Sequence, residues 1–394
     1  MRVLISAGGT GGGVYPALAV AQALIADHSL QTADGLSPGT RRDDGPSAIR
    51  STRSAISDLL WVGSPGGMEA DLVTRAGLPF SAIRGAGLHG VGWRLPLHTL
   101  QVVRGFFEAL SLVRTFQPEV LFVTGGFVAG PVALAAWLRR VPIVMYVPDL
   151  EPGLALQFIG RLARTIAVTA EDSRRYFESR ARQVVVTGYP TRPELKTATR
   201  AQAIEHFGLD SRRRTILVTG GSRGARSLNR AVFAALPDWL KDFDVLHLCG
   251  RLDWAETEAV RDALSAEARP HYHAFPYVHE MGLALAAADL AVSRAGASAL
   301  GEYPLFGLPA VLVPYPYAWR YQKVNADYLV ARGAALRVND EDLPQQLAPT
   351  VRALLSDTER LERMRHAAQA AATPDAARRI AGELLKLAGG HPQS

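Results

Sequence analysis

The stretch ISAGGTGGGVYPALAVAQAL, residues 5–24, runs from a short apolar segment through five glycines among six residues into a helix-like sequence. Ordering that many glycines is entropically costly, so the loop must serve a geometry that side chains would block. Strand, glycine-rich turn and helix in that order gather free backbone N–H groups and the positive helix end in one place, which receives phosphate or pyrophosphate. A close echo returns in RRRTILVTGGSRGARSLNRAVFAAL, residues 212–236, with the same succession of basic residues, β-branched strand, GG-x-x-G turn and amphipathic helix. A third loop of this kind, VTGGFVAGP at residues 123–131, again joins a strand-like run to a helix-like one. Two copies of one supersecondary unit predict two similar domains, each opening with its own first strand.

The rest of the chain keeps that rhythm. Strands are expected over residues 3–6, 60–63, 120–124, 143–147, 165–168 and 184–187, then over 215–219, 244–248, 271–274, 290–293 and 310–313. Helices are expected at 16–25, 97–115, 131–138, 228–236 and 324–331. Such alternation predicts an α/β fold of doubly wound parallel sheets. Their ligands sit at the carboxyl ends of the strands, and two such domains facing each other would share a cleft. The join is expected in GYPTRPELK, residues 188–196, where two prolines and a glycine break the pattern. That gives domains of residues 1–190 and 191–372. Residues 27–57, polar and rich in Gly, Pro, Ser and Arg, read as a mobile surface loop.

Composition narrows the class. The chain has 394 residues, is 48% hydrophobic and 20% charged, and carries a formal net charge of +6. That is ordinary for a soluble globular protein of two domains, with a basic excess too mild to choose among anionic partners. The single cysteine, Cys249, excludes an internal disulfide, fits a reducing compartment and reads as a small buried hydrophobe. MRVLISAGGT has too short an apolar run for a signal peptide. The best apolar run, GPVALAAWL at 130–138, stops at Arg139 and Arg140, well short of the ~18 residues of a membrane span. A cytoplasmic protein that touches a membrane surface is expected.

The glycine loops fit neither of two common nucleotide motifs. No Lys-Ser/Thr pair follows the last glycine, so Walker A fails. In the dinucleotide fingerprint Gly9 would need a glycine where Val14 stands, and the second strand ends in WVGS, residues 61–64, without its ribose-binding acid. What remains is pyrophosphate binding at two or three helix starts: a nucleotide-sugar on one domain and a phosphorylated acceptor on the other. No Cys/His cluster has metal-ligand spacing, so no metal or cofactor is expected. His247, His271, His273 and His279 fall near strands of the second half and read as core or rim residues.

GGTGGGVYPALAVA (8–21), GGFVAGP (125–131), GYPTR (188–192), GGSRGARSLN (220–229) and SRAGASALGEYPLFGLPAVLVPYPYAWRYQKVNA (293–326) occur in this order. Together they resemble the MurG family of peptidoglycan glycosyltransferases over essentially the whole chain outside residues 27–57. The resemblance implies a GT-B fold of two facing Rossmann-like domains, with the last helix, residues 376–388, crossing back to the first. It implies inverting transfer of N-acetylglucosamine from UDP-GlcNAc to undecaprenyl-pyrophosphoryl-MurNAc-pentapeptide (lipid I), giving lipid II. It further implies a peripheral enzyme at the cytoplasmic face of the cell membrane, with no nucleic-acid partner.

The same resemblance implies donor contacts. Arg192 is placed to meet the diphosphate charge, and Ser222 lies beside the diphosphate at a helix start. Val278 offers its backbone to uracil. Arg294 stands in the basic position before the GAS turn. Ala297, Ser298, Ala299, Leu300, Gly301 and Glu302 form the next helix start, with Glu302 suited to accept both ribose hydroxyls. Gln322 reads the sugar hydroxyls. Thr10, Gly11, Gly12, Gly125, Gly126, Gly221 and Gly224 build the sugar and diphosphate loops.

The acceptor side departs from the family. Its histidine after GGTGG is Gly13 here, its second-loop tyrosine is Phe127, and its His-Glu-Gln-Asn stretch reads Tyr146-Val147-Pro148-Asp149. Histidine therefore cannot be the general base at Gly13. Asp149, after a strand and beside EPG, is the candidate, with Glu151 second. Residues 88–114, with Trp93, Leu95, Leu97, Phe106 and Phe107 among Arg94, Arg104 and Arg114, and Trp137 beside Arg139 and Arg140, suit an anionic membrane surface. Two other readings stand beside the transferase: another GT-B glycosyltransferase or UDP-sugar epimerase, and a catalytically silent UDP-sugar-binding partner.

Overall fold

The computed structural model describes residues 1–9, 11–34, 59–85, 95–177, 183–221, 224–317 and 321–389. The chain divides into two compact units, Met1–Thr191 with Pro374–Ser394, and Arg192–Thr373.

In the first unit β1 (Val3–Ala7) leads into α1 (Gly11–Asp34), β2 (Leu59–Gly63) into α2 (Met68–Arg75), and β3 (Phe80–Ala82) precedes α3 (Leu95–Phe116). Then come β4 (Val120–Gly125), α4 (Ala129–Leu138), β5 (Ile143–Val147), α5 (Leu154–Ile159), β6 (Thr165–Val168) and β7 (Val184–Val186). The sheet order is β3-β2-β1-β4-β5-β6-β7, and every pairing is parallel. β1, β4, β5 and β6 are buried along their whole length, as central parallel strands covered on both faces must be.

The second unit repeats the plan. Its elements are α6 (Arg200–Phe207), β8 (Arg214–Thr219), α7 (Arg226–Trp239), β9 (Phe243–Leu248), α8 (Trp254–Asp262), β10 (Tyr272–Phe275), α9 (Met281–Ala287), β11 (Leu290–Ser293), α10 (Glu302–Phe306) and β12 (Ala310–Leu312). α11 (Tyr321–Ala331), β13 (Ala335–Arg337), α12 (Leu343–Ser356) and α13 (Thr358–Ala370) complete it. The order β10-β9-β8-β11-β12-β13 is the first unit's pattern with its last strand removed. In both sheets the strand order reverses beside the unit's first strand, between β1 and β4 and between β8 and β11, and that switch point is where open α/β sheets bind ligands. The last helix, α14 (Ala376–Gly389), packs against α1 in the first unit, burying Ile380, Ala381 and Leu384.

Two expectations change. α1 does not stop where residue 27 was expected to open a loop but continues to Asp34. DHSLQTAD contains no glycine or proline, so nothing breaks the helix before Gly35; polarity alone is a poor loop signal. Residues 35–57 of that expected loop lie outside the described residues. β3 and β13 are strands that the sequence reading lacks: each is a three-residue edge strand of mixed composition, FSA and ALR, without the β-branched run VVV that marks the equally short β7.

Candidate active site

At the first switch point two glycine loops lie against each other. Gly125 and Gly126, at the end of β4, have φ of 119° and 106°, values that L side chains rarely adopt. A Cβ on Gly126 would stand 3.0 Å from the Gly8 nitrogen, so the close approach of the loops needs glycine there. Thr124 donates its hydroxyl to the Gly13 carbonyl at 2.8 Å, tying the start of α1 to the end of β4. Gly11 and Gly12 open α1; Thr10 lies outside the described residues. Phe127, the next loop residue, is exposed.

Asp149 follows β5 at the carboxyl edge of the sheet and is half-buried. Glu151, two residues on, is buried and precedes α5, whose N-cap is Gly153. Tyr146, within β5, is fully buried. Its hydroxyl bonds the Thr169 hydroxyl at 2.8 Å, and burial pushes its phenol well above the usual range, with the charge of Asp149 adding to that.

At the second switch point the β8 loop carries Gly221 and Gly224, with φ of 83° and 79°. A Cβ on Gly224 would stand 2.2 Å from the Cys249 carbonyl oxygen. The loop's continuation is bound on several sides. Asn229 donates to the Cys249 carbonyl and to Asp253, both at 2.9 Å, and Arg226 pairs with Asp253 at 2.9 Å. His247 sits behind this network between Tyr272 and Asn229, and burial lowers its pKa to about 3, so it stays a neutral core residue at physiological pH. Ser222 lies outside the described residues.

The residues expected on the donor follow β11. Ala297–Leu300 form a 3-10 turn, and Glu302, after Gly301, opens α10. Glu302 is buried, with Arg192 Nη2 3.9 Å from its Oε1. Burial raises its pKa to about 7, partly offset by the Arg192 charge. Arg294 is pinned: Nη1 meets Asp340 Oδ1 at 2.5 Å, and Nη2 donates to the Ser227 hydroxyl at 2.7 Å. It also donates to the Val313 carbonyl at 3.2 Å. Its guanidinium thus brackets the ends of β11 and β12 and the start of α7. Gln322 accepts the Tyr315 amide at 2.8 Å. Val278 is half-buried, and the residues after it line a cavity of about 760 Å³ with Arg192, Leu195, Gln202 and His206.

Several residues that shape this site escaped the sequence reading. Asn325 donates to the Ala295 carbonyl at 3.1 Å and so holds α11 against the β11 loop. Its signal was present, since QKVNA closes the last motif quoted above. Ser227 and Asp340 had none, because their importance lies in distant partners.

On α3 the side chains of Leu100, Val103 and Phe107 are exposed, as are Trp137 and Leu138 on α4. Arg104 and Arg114 on α3, and Arg139 and Arg140 after α4, are exposed too. Phe106 packs on the core and meets Phe107 edge-on at 5.4 Å. Leu95 and Leu97 lie in the first turn of α3; Trp93 and Arg94 lie outside the described residues. No helix among the described residues is long and apolar enough to cross a membrane.

Residues 51–168 match the model of the glycosyltransferase family 28 N-terminal domain, and residues 215–380 that of the C-terminal domain. The chain is 42% identical to the UDP-N-acetylglucosamine--N-acetylmuramyl-(pentapeptide) pyrophosphoryl-undecaprenol N-acetylglucosamine transferase of Roseiflexus sp. (strain RS-1), over 97% of this chain and 94% of that one. It is 38% identical to the protein of the same name from Desulforudis audaxviator (strain MP104C), over 99% of each. The crystal structure of Acinetobacter baumannii MurG shares the fold, with a TM-score of 0.69 and 24% identity over 98% of this chain and 99% of that one. With both domain models matched in order and curated relatives aligned nearly end to end, the chain belongs to glycosyltransferase family 28, among the N-acetylmuramyl-(pentapeptide) pyrophosphoryl-undecaprenol N-acetylglucosamine transferases.

Proposed function

We propose that the protein transfers N-acetylglucosamine from UDP-GlcNAc to undecaprenyl-pyrophosphoryl-MurNAc-pentapeptide, forming lipid II with inversion at the anomeric carbon. One observation carries the reading: nearly the whole chain aligns, at 42% and 38% identity, with curated relatives that bear the name of that activity. The arrangement of the second unit supports it. Glu302 is a buried carboxyl beside a guanidinium, at the carboxyl end of a central strand, where a nucleoside's hydroxyls and diphosphate call for an acceptor and a cation.

In this reading the second unit takes the donor. Glu302 accepts the ribose hydroxyls, Arg192 and the glycine loop around Ser222 meet the diphosphate, and the Val278 backbone reads uracil. Gln322 reads the sugar, while Arg294 holds the surrounding turns in register. The Ala297–Gly301 turn supplies backbone to the same ligand. The chemistry is a single displacement in which an acceptor hydroxyl attacks the anomeric carbon as UDP leaves. It requires alignment, stabilisation of the departing diphosphate and removal of one proton. Asp149 removes that proton.

The first unit takes the acceptor on the loops of Gly8–Gly13 and Gly125–Gly126. Exposed Leu100, Val103, Phe107 and Trp137 among arginines lie on the cytoplasmic membrane surface, with apolar groups entering the interface and arginines meeting anionic headgroups. Transfer of labelled GlcNAc from UDP-GlcNAc to a lipid I analogue tests the activity. Binding of UDP-GlcNAc without transfer would leave a silent sugar-nucleotide-binding protein instead.

A further inference from the structure

Glu69 is 1% exposed and has no part in the chemistry above. It sits in the first turn of α2, where a carboxylate is favoured by the helix end. Its Oε1 accepts both the amide and the hydroxyl of Ser64, at 2.9 and 2.6 Å, closing the turn after β2. Its Oε2 is buried and meets no hydrogen-bond donor among the described residues, a condition rare in native proteins that asks for a reason.

The carboxyl is walled by glycines. A Cβ on Gly8 would stand 2.7 Å from Oε1 and 3.2 Å from Oε2, and one on Gly67 would stand 2.5 Å from the carboxyl carbon. A Cβ on Gly63 would meet Cγ at 2.6 Å. On the other side of Gly8 lies Gly126, whose Cβ position is 3.0 Å from the Gly8 nitrogen. The loop after β1 is therefore held between the loop after β4 and a buried carboxyl delivered from the turn after β2.

We propose that Glu69 is a positioning residue for the glycine loop that takes the acceptor's diphosphate. Its carboxyl is the wall on which Gly8 rests, and the oxygen left without a donor keeps that wall electronegative, so that only one arrangement of the loop backbone fits against it. The assignment of this loop to the acceptor rests on the function proposed above; the contact between Glu69 and Gly8 does not.

The test is Glu69→Gln, which keeps the volume and the Ser64 contacts but puts an N–H where Oε2 stands. Amide exchange, read by mass spectrometry on peptides carrying Gly8 and Gly9, should quicken about tenfold. kcat/KM for a lipid I analogue should fall about tenfold with the KM for UDP-GlcNAc and the Tm unchanged, a split that loss of packing alone would not produce. In a second arm, Gly8→Ala lowers Tm, and adding Glu69→Ala restores part of the loss, because the obstructing carboxyl is gone. Wild-type exchange and kinetics in Glu69→Gln, or additive losses in the Gly8→Ala/Glu69→Ala pair, would overturn the proposal. Should the wild-type protein not transfer GlcNAc to lipid I, the proposed function falls while amide exchange and the paired substitutions still decide the role of Glu69.

Discussion

The proposed role of Glu302 as acceptor of both ribose hydroxyls predicts that donor affinity rises with pH through neutrality, because that role requires the carboxyl to give up its proton. Burial raises its pKa from 4.5 to about 7. Above that value both oxygens are free to accept, as the proposed ribose contact requires; below it one oxygen carries a hydrogen that faces the hydroxyl as a donor, and the paired acceptor is lost. About one molecule in ten is ionised at pH 6 and about nine in ten at pH 8. Titration calorimetry with UDP-GlcNAc should therefore show about tenfold tighter binding at pH 8 than at pH 6. Glu302→Gln should bind weakly at both. The same shift has an opposite sign for folding. A carboxyl whose folded pKa lies above its unfolded one stabilises the fold below pH 4.5, and that contribution is lost as pH rises through 7. At pH 8 ionised Glu302 costs the second unit about 3 kcal/mol, so Glu302→Gln should raise Tm at pH 8 and do little at pH 4. A flat wild-type affinity between pH 6 and 8, or a Gln variant that keeps the pH slope, would refute the reasoning.

Other outcomes follow from the same geometry. Asp149→Asn should lower kcat by about a hundredfold or more in the transfer assay and leave the KM for UDP-GlcNAc in place, as removal of a general base does. Gly224→Ala should lower the denaturant midpoint, by an amount equivalent to about 2 kcal/mol or more, since it sets a Cβ 2.2 Å from the Cys249 carbonyl oxygen at a φ of 79°. Phe107→Asp should weaken co-sedimentation with anionic vesicles severalfold, with little change in Tm, because the side chain it replaces is 62% exposed.

What the sequence disclosed and what it hid divide along physical lines. The central strands were legible because residues buried on both faces form continuous apolar runs, as in VLISA and VLFVTG. The glycine loops were legible because their backbone geometry excludes side chains. β3 (FSA) and β13 (ALR) lack the unbroken β-branched run that makes the equally short edge strand β7 (VVV) legible, and the polar last turns of α1 looked like loop. At the site, Glu302 stood out by motif, but its closeness to Arg192 comes only from the fold. Arg294 was legible as a cation, whereas Asp340, 46 residues on, emerges as its partner only once β12 and β13 are laid side by side. Glu69 was hidden most deeply. WVGS ends β2 without an acid, and the carboxyl that reaches the β1 loop comes from the following helix.

The first unit is assembled from both extremes of the polypeptide: α14 lies against α1, yet everything from Arg192 to Thr373 is translated between them. At ribosomal speeds of about 5–20 residues per second, the opening sheet waits on the order of ten to forty seconds for its final helix. During that interval the second unit can complete itself, whereas the face of α1 that α14 will cover stays open to chaperones. Premature termination within the last turns would thus injure the part made first.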